Sequence, residues 1–191
     1  MDPSRRPLGP LPLGRALLVL LAALALALAA GACGKNEEKT SGAEGQYIKA
    51  GEAVYQVQLS RLLNPEDRPD DVYLRAQPAL TAAEQYLGVF LSVENEGKTD
   101  YLPPRDMKVV DTQGNEYLPI DVSATGFGLS FSQPLKPGEL SPQPDSPAAT
   151  GQEGGALVLF RVKQASATEN LPLVLDVPAA GGKESKITLD I

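Results

Sequence analysis

The chain has 191 residues, 42% of them hydrophobic, with 17 Lys and Arg against 24 Asp and Glu, no His, no Trp and a single Cys. That inventory excludes Ser–His–Asp and Cys–His catalysis and the carriage of a soft metal, which need imidazole, thiolate or thioether groups in number. The formal charge of −7 opposes binding to a phosphate backbone, and one Cys permits no disulfide framework, so any fold rests on its core alone.

At the amino terminus Arg5, Arg6 and Arg15 precede an apolar run from Ala16 to Ala30, which ends in the small residues Gly31 and Ala32. This is the layout of a secretory signal, whose positive flank resists translocation while the rest of the chain is exported. The residues Ala30-Gly31-Ala32-Cys33 resemble the lipobox of bacterial lipoproteins, with Ala30 where that motif most often has Leu. The resemblance implies cleavage between Ala32 and Cys33, diacylglycerol on the Cys33 sulfur, and a lipid anchor on the extracytoplasmic face of the cell membrane. Two acyl chains hold a protein stably, since each buried methylene contributes about 0.8 kcal/mol. The competing reading is an uncleaved anchor. A run near 17 residues lies at the lower edge of the spanning range of about 17 to 25, and its many Ala residues weaken it. Cleavage removes three Arg and one Asp, leaving 14 basic and 23 acidic residues and a charge of −9.

Residues 33–46 show mixed charge and no apolar periodicity, which predicts a flexible tether, with one folded domain over residues 47–191. From there the apolar pattern alternates with period two. The first strand places Ala53, Tyr55, Val57 and Leu59 inward. The second, Gln85 to Glu94, turns Leu87, Val89, Leu91 and Val93 inward, with Tyr86 and Phe90 covering an edge or a loop. Met107–Asp111 and Glu116–Ile120 flank Thr112-Gln113-Gly114-Asn115 and predict a hairpin. Ala156–Val162 is apolar on both faces and predicts a central strand. Leu171–Val177 and Ser185–Ile191 alternate again. About seven strands in a domain of this size predict an all-β fold, an immunoglobulin-like antiparallel β-sandwich, with a small barrel as the competing architecture.

The stretch Gln85 to Gly97, with its Asn95-Glu96-Gly97 turn, then Met107 to Tyr117, Leu135-Lys136-Pro137-Gly138-Glu139 and the strand holding Phe160, resembles a bacterial extracellular immunoglobulin-like domain family of unknown function. The resemblance covers about residues 50–191. It includes lipoprotein members and an architecture similar to small secreted mycobacterial immunogenic proteins, and it implies a fold rather than a chemistry.

Two long insertions interrupt that pattern, residues 64–84 and 123–154, both rich in Pro. They read either as solvated loops, with Pro134, Pro137, Pro142, Pro144 and Pro147 holding an extended path, or as a contact surface. Tyr73 in the first and Phe127 and Phe131 in the second are the candidate contact residues. The spacing of Phe127, Leu129 and Phe131 also suits a strand buried against the sandwich, with a recognition ridge as the alternative. Glu66, Asp67, Asp70 and Asp71 are carboxylates of the type Ca²⁺ takes, but Pro65 and Pro69 break the run and no calcium-loop spacing is present, so no metal and no cofactor is expected. The expectation is a non-catalytic module tethered to the membrane through Cys33, with an extracellular protein partner and no nucleic acid. The alternative is an accessory structural lipoprotein of the envelope.

Overall fold

The computed structural model describes residues 38–191. The signal segment, the cleavage residue Ala32 and the lipidation residue Cys33 lie outside them. The strands, in chain order, are β1 (Ser41–Ala43), β2 (Tyr47–Ala50), β3 (Ala53–Leu63), β4 (Glu84–Asn95), β5 (Lys108–Val110) and β6 (Glu116–Tyr117). They continue with β7 (Pro119–Ile120), β8 (Leu140–Ser141), β9 (Ala156–Lys163), β10 (Val174–Ala179) and β11 (Lys183–Thr188). One sheet runs β1-β11-β10-β5-β6; the other runs β2-β3-β4-β9-β7, with β8 paired to the end of β4. The fold is thus the all-β sandwich that the alternation predicts.

The main core lies between the sheets. Tyr55, Val57, Leu87, Val89, Leu91, Val158 and Phe160 face Val109, Leu175, Val177 and Ile187, all of them fully or almost fully buried. Burying each such side chain contributes about 1.5–3 kcal/mol, which offsets the cost of ordering the chain without a disulfide. The central position expected for β9 is observed, with β4 on one side and β7 on the other.

Several expected strands are redrawn by local chemistry. A register shift between Val57 and Leu59 inserts Gln58 as a bulge, so Leu59 pairs with Phe90 and leaves the face of Tyr55 and Val57, while Ser60 opposite Val89 takes its place. The expected strand Glu116–Ile120 breaks at exposed Leu118. Its first half pairs with β5, whereas Pro119 and Ile120 cross to the edge of the other sheet, where a residue without an N–H is tolerated. The strand expected from Leu171 starts at Val174. Pro172 donates nothing to a ladder, and Leu171 is 40% exposed although Leu173 remains buried.

The tether predicted for residues 33–46 is corrected over residues 38–46, which are packed on the sandwich, while residues 33–37 lie outside the described ones. β1 pairs in parallel with β11, which makes this sheet mixed rather than antiparallel, and the Lys49 N–H donates to Lys39 O at 2.7 Å. The Glu44 carboxylate accepts from the Ser60 hydroxyl, from the Ser60 N–H at 3.1 Å and from the Asp190 N–H at 3.1 Å. Backbone edges of both sheets need partners here, and a polar segment supplies them through its main chain, a use that hydropathy does not register.

Candidate functional site

The predicted contact residues do not form an exposed surface. Tyr73 is 5% exposed and makes edge-to-face contacts with Phe90 and Phe127, each at 5.0 Å between ring centres. These rings belong to a second apolar cluster, with Leu63, Leu74, Tyr86, Val122, Leu157 and Leu159, on the outer face of the six-stranded sheet. Both insertions fold down over that face, so neither reading of them, solvated loop or open contact surface, describes this part. Tyr86 and Phe90 do lie beneath a loop, as the strand pattern suggests. Phe127 is half-buried in the cluster, and the chain beside it bridges to β9, with Leu157 N donating to Phe127 O and Leu129 N to Leu157 O. Phe131 is half-buried against the main core, apart from the other two, with the Arg105 guanidinium 5.8 Å from its ring centre.

Arg61 fastens the two insertions together. Its Nη2 donates to Asp70 Oδ1 at 2.6 Å and its Nη1 to Asp70 Oδ2 at 3.2 Å, while Nε and Nη2 reach Glu153 Oε1 at 3.0 and 2.8 Å. Asp70 comes from the first insertion and Glu153 from the end of the second. The hydrogen bond to Asp70 raises the Arg61 pKa most, against burial, which lowers it. Asp70 is 3% exposed and also accepts the Asn64 N–H at 2.7 Å. The carboxylates weighed as oxygen ligands are therefore divided, Asp70 turned inward to Arg61 and Glu66, Asp67 and Asp71 left in solvent. Among the described residues no three acidic, Cys or His side chains converge.

Beside this cap the outer face stays open. Cross-strand pairing puts Tyr47, Gln56 and Ser92 in one row, with Lys49, Val54 and Glu94 in the next. Tyr47 is 66% exposed. The Gln58 amide nitrogen donates to Gln56 Oε1 at 2.9 Å and to Ser92 Oγ at 3.3 Å, and Gln56 Nε2 donates to Gly45 O at 2.9 Å. Leu140, Pro142 and Pro144 of the second insertion wall the other side, closing a groove of about 330 Å³. The alternation marks Gln56 and Ser92 as outward-facing. Their alignment with Tyr47, which begins the domain in the sequence reading and names no site there, depends on register between distant strands.

Two further polar places lie elsewhere on the domain. A cleft of about 380 Å³ is lined by Arg105, Asp121, Ser123 and Phe131, and the Ser123 N–H and hydroxyl hold the Asp121 pKa below its ordinary value. Asp111 is nearly buried. Burial acts to raise its pKa, but hydrogen bonds from Ser166, Asn115 and Asn170 outweigh it and hold the carboxyl well below the usual range. Tyr117 joins the same network through Ser166 at 2.6 Å, so this centre ties the β5–β6 turn to the helical turn Gln164–Thr168. Every partner is spent inside the network, which gives it a structural character.

No protein-family model matches the sequence, and no curated protein matches it. Among solved structures the chain is similar to an uncharacterized beta-sandwich protein from Clostridium difficile 630, at 15% identity and a TM-score of 0.46, over 82% of this chain and 99% of that one. It is also similar to the yjhA protein from Bacillus subtilis, at 10% identity and a TM-score of 0.45, over 77% of this chain and 98% of that one. A conserved hypothetical protein from Bacillus anthracis matches at 13% identity and a TM-score of 0.45, over 75% of this chain and 93% of that one.

Proposed function

We propose that the protein is an exported, lipid-anchored, non-catalytic binding module, held to the extracytoplasmic face of a membrane through Cys33. The supporting sequence is the Arg-flanked apolar run ending in Ala30-Gly31-Ala32-Cys33. We assign the domain to the bacterial extracellular immunoglobulin-like family on the motifs quoted for it, which support the fold and leave the ligand open. The observation that carries the binding role is the groove. The second insertion is pinned to β4 and to Arg61, and it walls an exposed aromatic and a row of amides instead of trailing into solvent. Pre-formed concavities of this size are where ligands bind, because little ordering cost remains to be met on binding.

A second reading, a structural lipoprotein with no specific ligand, has one observation in its favour. The outer face of the five-stranded sheet is a charge ladder, with Lys186 paired to Asp176 and Glu184 and Lys108 to Glu116, and such a surface is soluble but featureless.

Four residues, 34–37, separate the proposed lipid from Glu38, which limits the reach from Cys33 to about 18 Å at full extension. The anchor is tested by intact-mass spectrometry of protein purified from its native membranes, beside a Cys33→Ala variant followed by fractionation. The expected result is a chain that begins at a diacylated Cys33 and leaves the membrane when that residue is replaced. An unlipidated mass that retains residues 1–32 would instead establish an uncleaved anchor.

A further inference from the structure

We propose that the groove between Tyr47 and the Leu140–Pro144 wall binds a neutral glycan chain, with Gln56, Gln58 and Ser92 on its hydroxyls and the Tyr47 ring against a sugar face. This inference rests on the binding-module reading and names the class of ligand for it.

The lining decides among partners. Glu94 is the one carboxylate lining the groove, and the cation beside it, Lys49, is paired to Glu96 at 2.5 Å, so a phosphate, a nucleic acid or an anionic lipid meets no unpaired cation there. Strands β3 and β4 are interior to the sheet, and the outer edge of β2 is covered at Lys49, whose N–H donates to Lys39 O and whose carbonyl accepts from Ser185, so an incoming peptide strand finds little edge to extend. An apolar helix laid on this floor would strip water from two amides and a hydroxyl without replacing their hydrogen bonds, at a cost that opposes docking. A polyhydroxyl chain has what the floor lacks. Each sugar hydroxyl both donates and accepts, and beyond the bonds that join Gln58 to Gln56 and Ser92 and Gln56 to Gly45, the floor keeps Gln58 Oε1, the second Gln56 Nε2 hydrogen and the Ser92 hydroxyl hydrogen to meet it.

Tyr47 adds the apolar part. The residue is 66% exposed at the start of β2, outside both apolar clusters, and its ring offers an apolar face to C–H groups. Neighbouring strands of the floor are about 4.8 Å apart, on the scale of one sugar ring, so Tyr47, Gln56 and Ser92, side by side in one row across three strands, suit successive residues of a chain. The proline wall is fixed as well. Ser141 pairs with Val93, and the Ser146 hydroxyl accepts the Ala149 N–H at 3.3 Å to cap the turn Pro147–Thr150, which places Ala149 at the groove.

The test is isothermal titration of the full lipidated chain, in a zwitterionic detergent free of sugar, with cellohexaose, chitohexaose and maltohexaose. At least one is expected to bind. For that one, Tyr47→Ala is expected to weaken binding tenfold or more and Gln56→Ala severalfold, while Arg105→Ala, in the separate cleft, leaves it unchanged. Denaturation midpoints of the variants establish that each is folded, and amide shifts on titration should cluster at residues 47, 56, 58 and 92. Absence of binding by all three at millimolar concentration overturns the proposal. Binding that survives both groove substitutions, or shifts that cluster elsewhere, overturns it equally. A lipidated mature chain that binds none of them ends the glycan reading and leaves the anchor intact.

Discussion

The outer face of the six-stranded sheet divides into two halves that share strands and differ in almost everything else. On β4, Phe90 and Ser92 are two residues apart and point the same way, yet Phe90 is fully buried under the insertions and Ser92 lines an open groove. The covered half is a second core of aromatic and branched side chains, whereas the open half is a row of amides with one exposed Tyr. The border on β3 is the bulge at Gln58, after which Leu59, Arg61 and Leu63 turn to the covered side. The comparison teaches that an outward residue in an alternating strand is not a solvent residue until the insertions are placed. Here the same insertions that close one half build the wall of the other.

The difference is broken most severely at Phe90. Phe90→Ala removes a ring packed on Tyr73 and facing Arg61, and it should cost about 3–5 kcal/mol by urea denaturation, as buried aromatic truncations do. Ser92→Ala, two positions along the same face, should change stability by less than about 0.5 kcal/mol. A Phe90 cost near that of Ser92 would mean that the covered half is a loose flap rather than a core.

Removing the fork that holds the cap comes next. Arg61→Met leaves Asp70 and Glu153 without their cation. Breaking a fully buried pair costs about 3–5 kcal/mol, and because the Arg61 side chain is 29% exposed the expected loss is smaller, about 1–3 kcal/mol. Proteolysis within residues 64–84 should accelerate in step. Adding Asp70→Asn and Glu153→Gln to Arg61→Met removes the stranded charges and should restore part of the loss. A triple variant no better than the single one would show that the charges are not what the fork neutralises.

Much of this was legible in the sequence where the signal is local. Alternation in residues 53–57 and 87–93 reports which side chains face the inter-sheet core, and the Asn95-Glu96-Gly97 turn reports itself, with the buried Asn95 side chain accepting the Gly97 N–H at 2.9 Å. What was not legible depends on chain returning from far away. Tyr73 and Phe127 look like loop aromatics because their partners, Phe90 and Leu157, are distant in sequence. Residues 38–46 look like a tether because they contribute backbone hydrogen bonds rather than apolar side chains. The groove needed three registers at once, β2 on β3, β3 on β4 and β8 on β4, and none of these is written in any one segment.

The smallest expected effect is at the rim of the covered half, where the first insertion re-enters the sheet. Glu84 accepts from the Arg161 guanidinium at 2.6 Å and from the Thr81 hydroxyl and N–H at 2.6 and 3.1 Å, and these bonds, Arg161 foremost, lower its pKa to about 2. A carboxyl whose folded pKa lies below its unfolded value near 4.3 adds stability that is complete above that value and is lost as pH falls through the folded one. Wild type should therefore exceed Glu84→Gln in denaturation midpoint at pH 7 by a small margin, with the gap closing between about pH 4.5 and 2. A gap that stays constant across that window would place the contribution of Glu84 in its packing rather than its charge. It would also mean that the rim of the cap, unlike its centre at Arg61, is held without ion pairing.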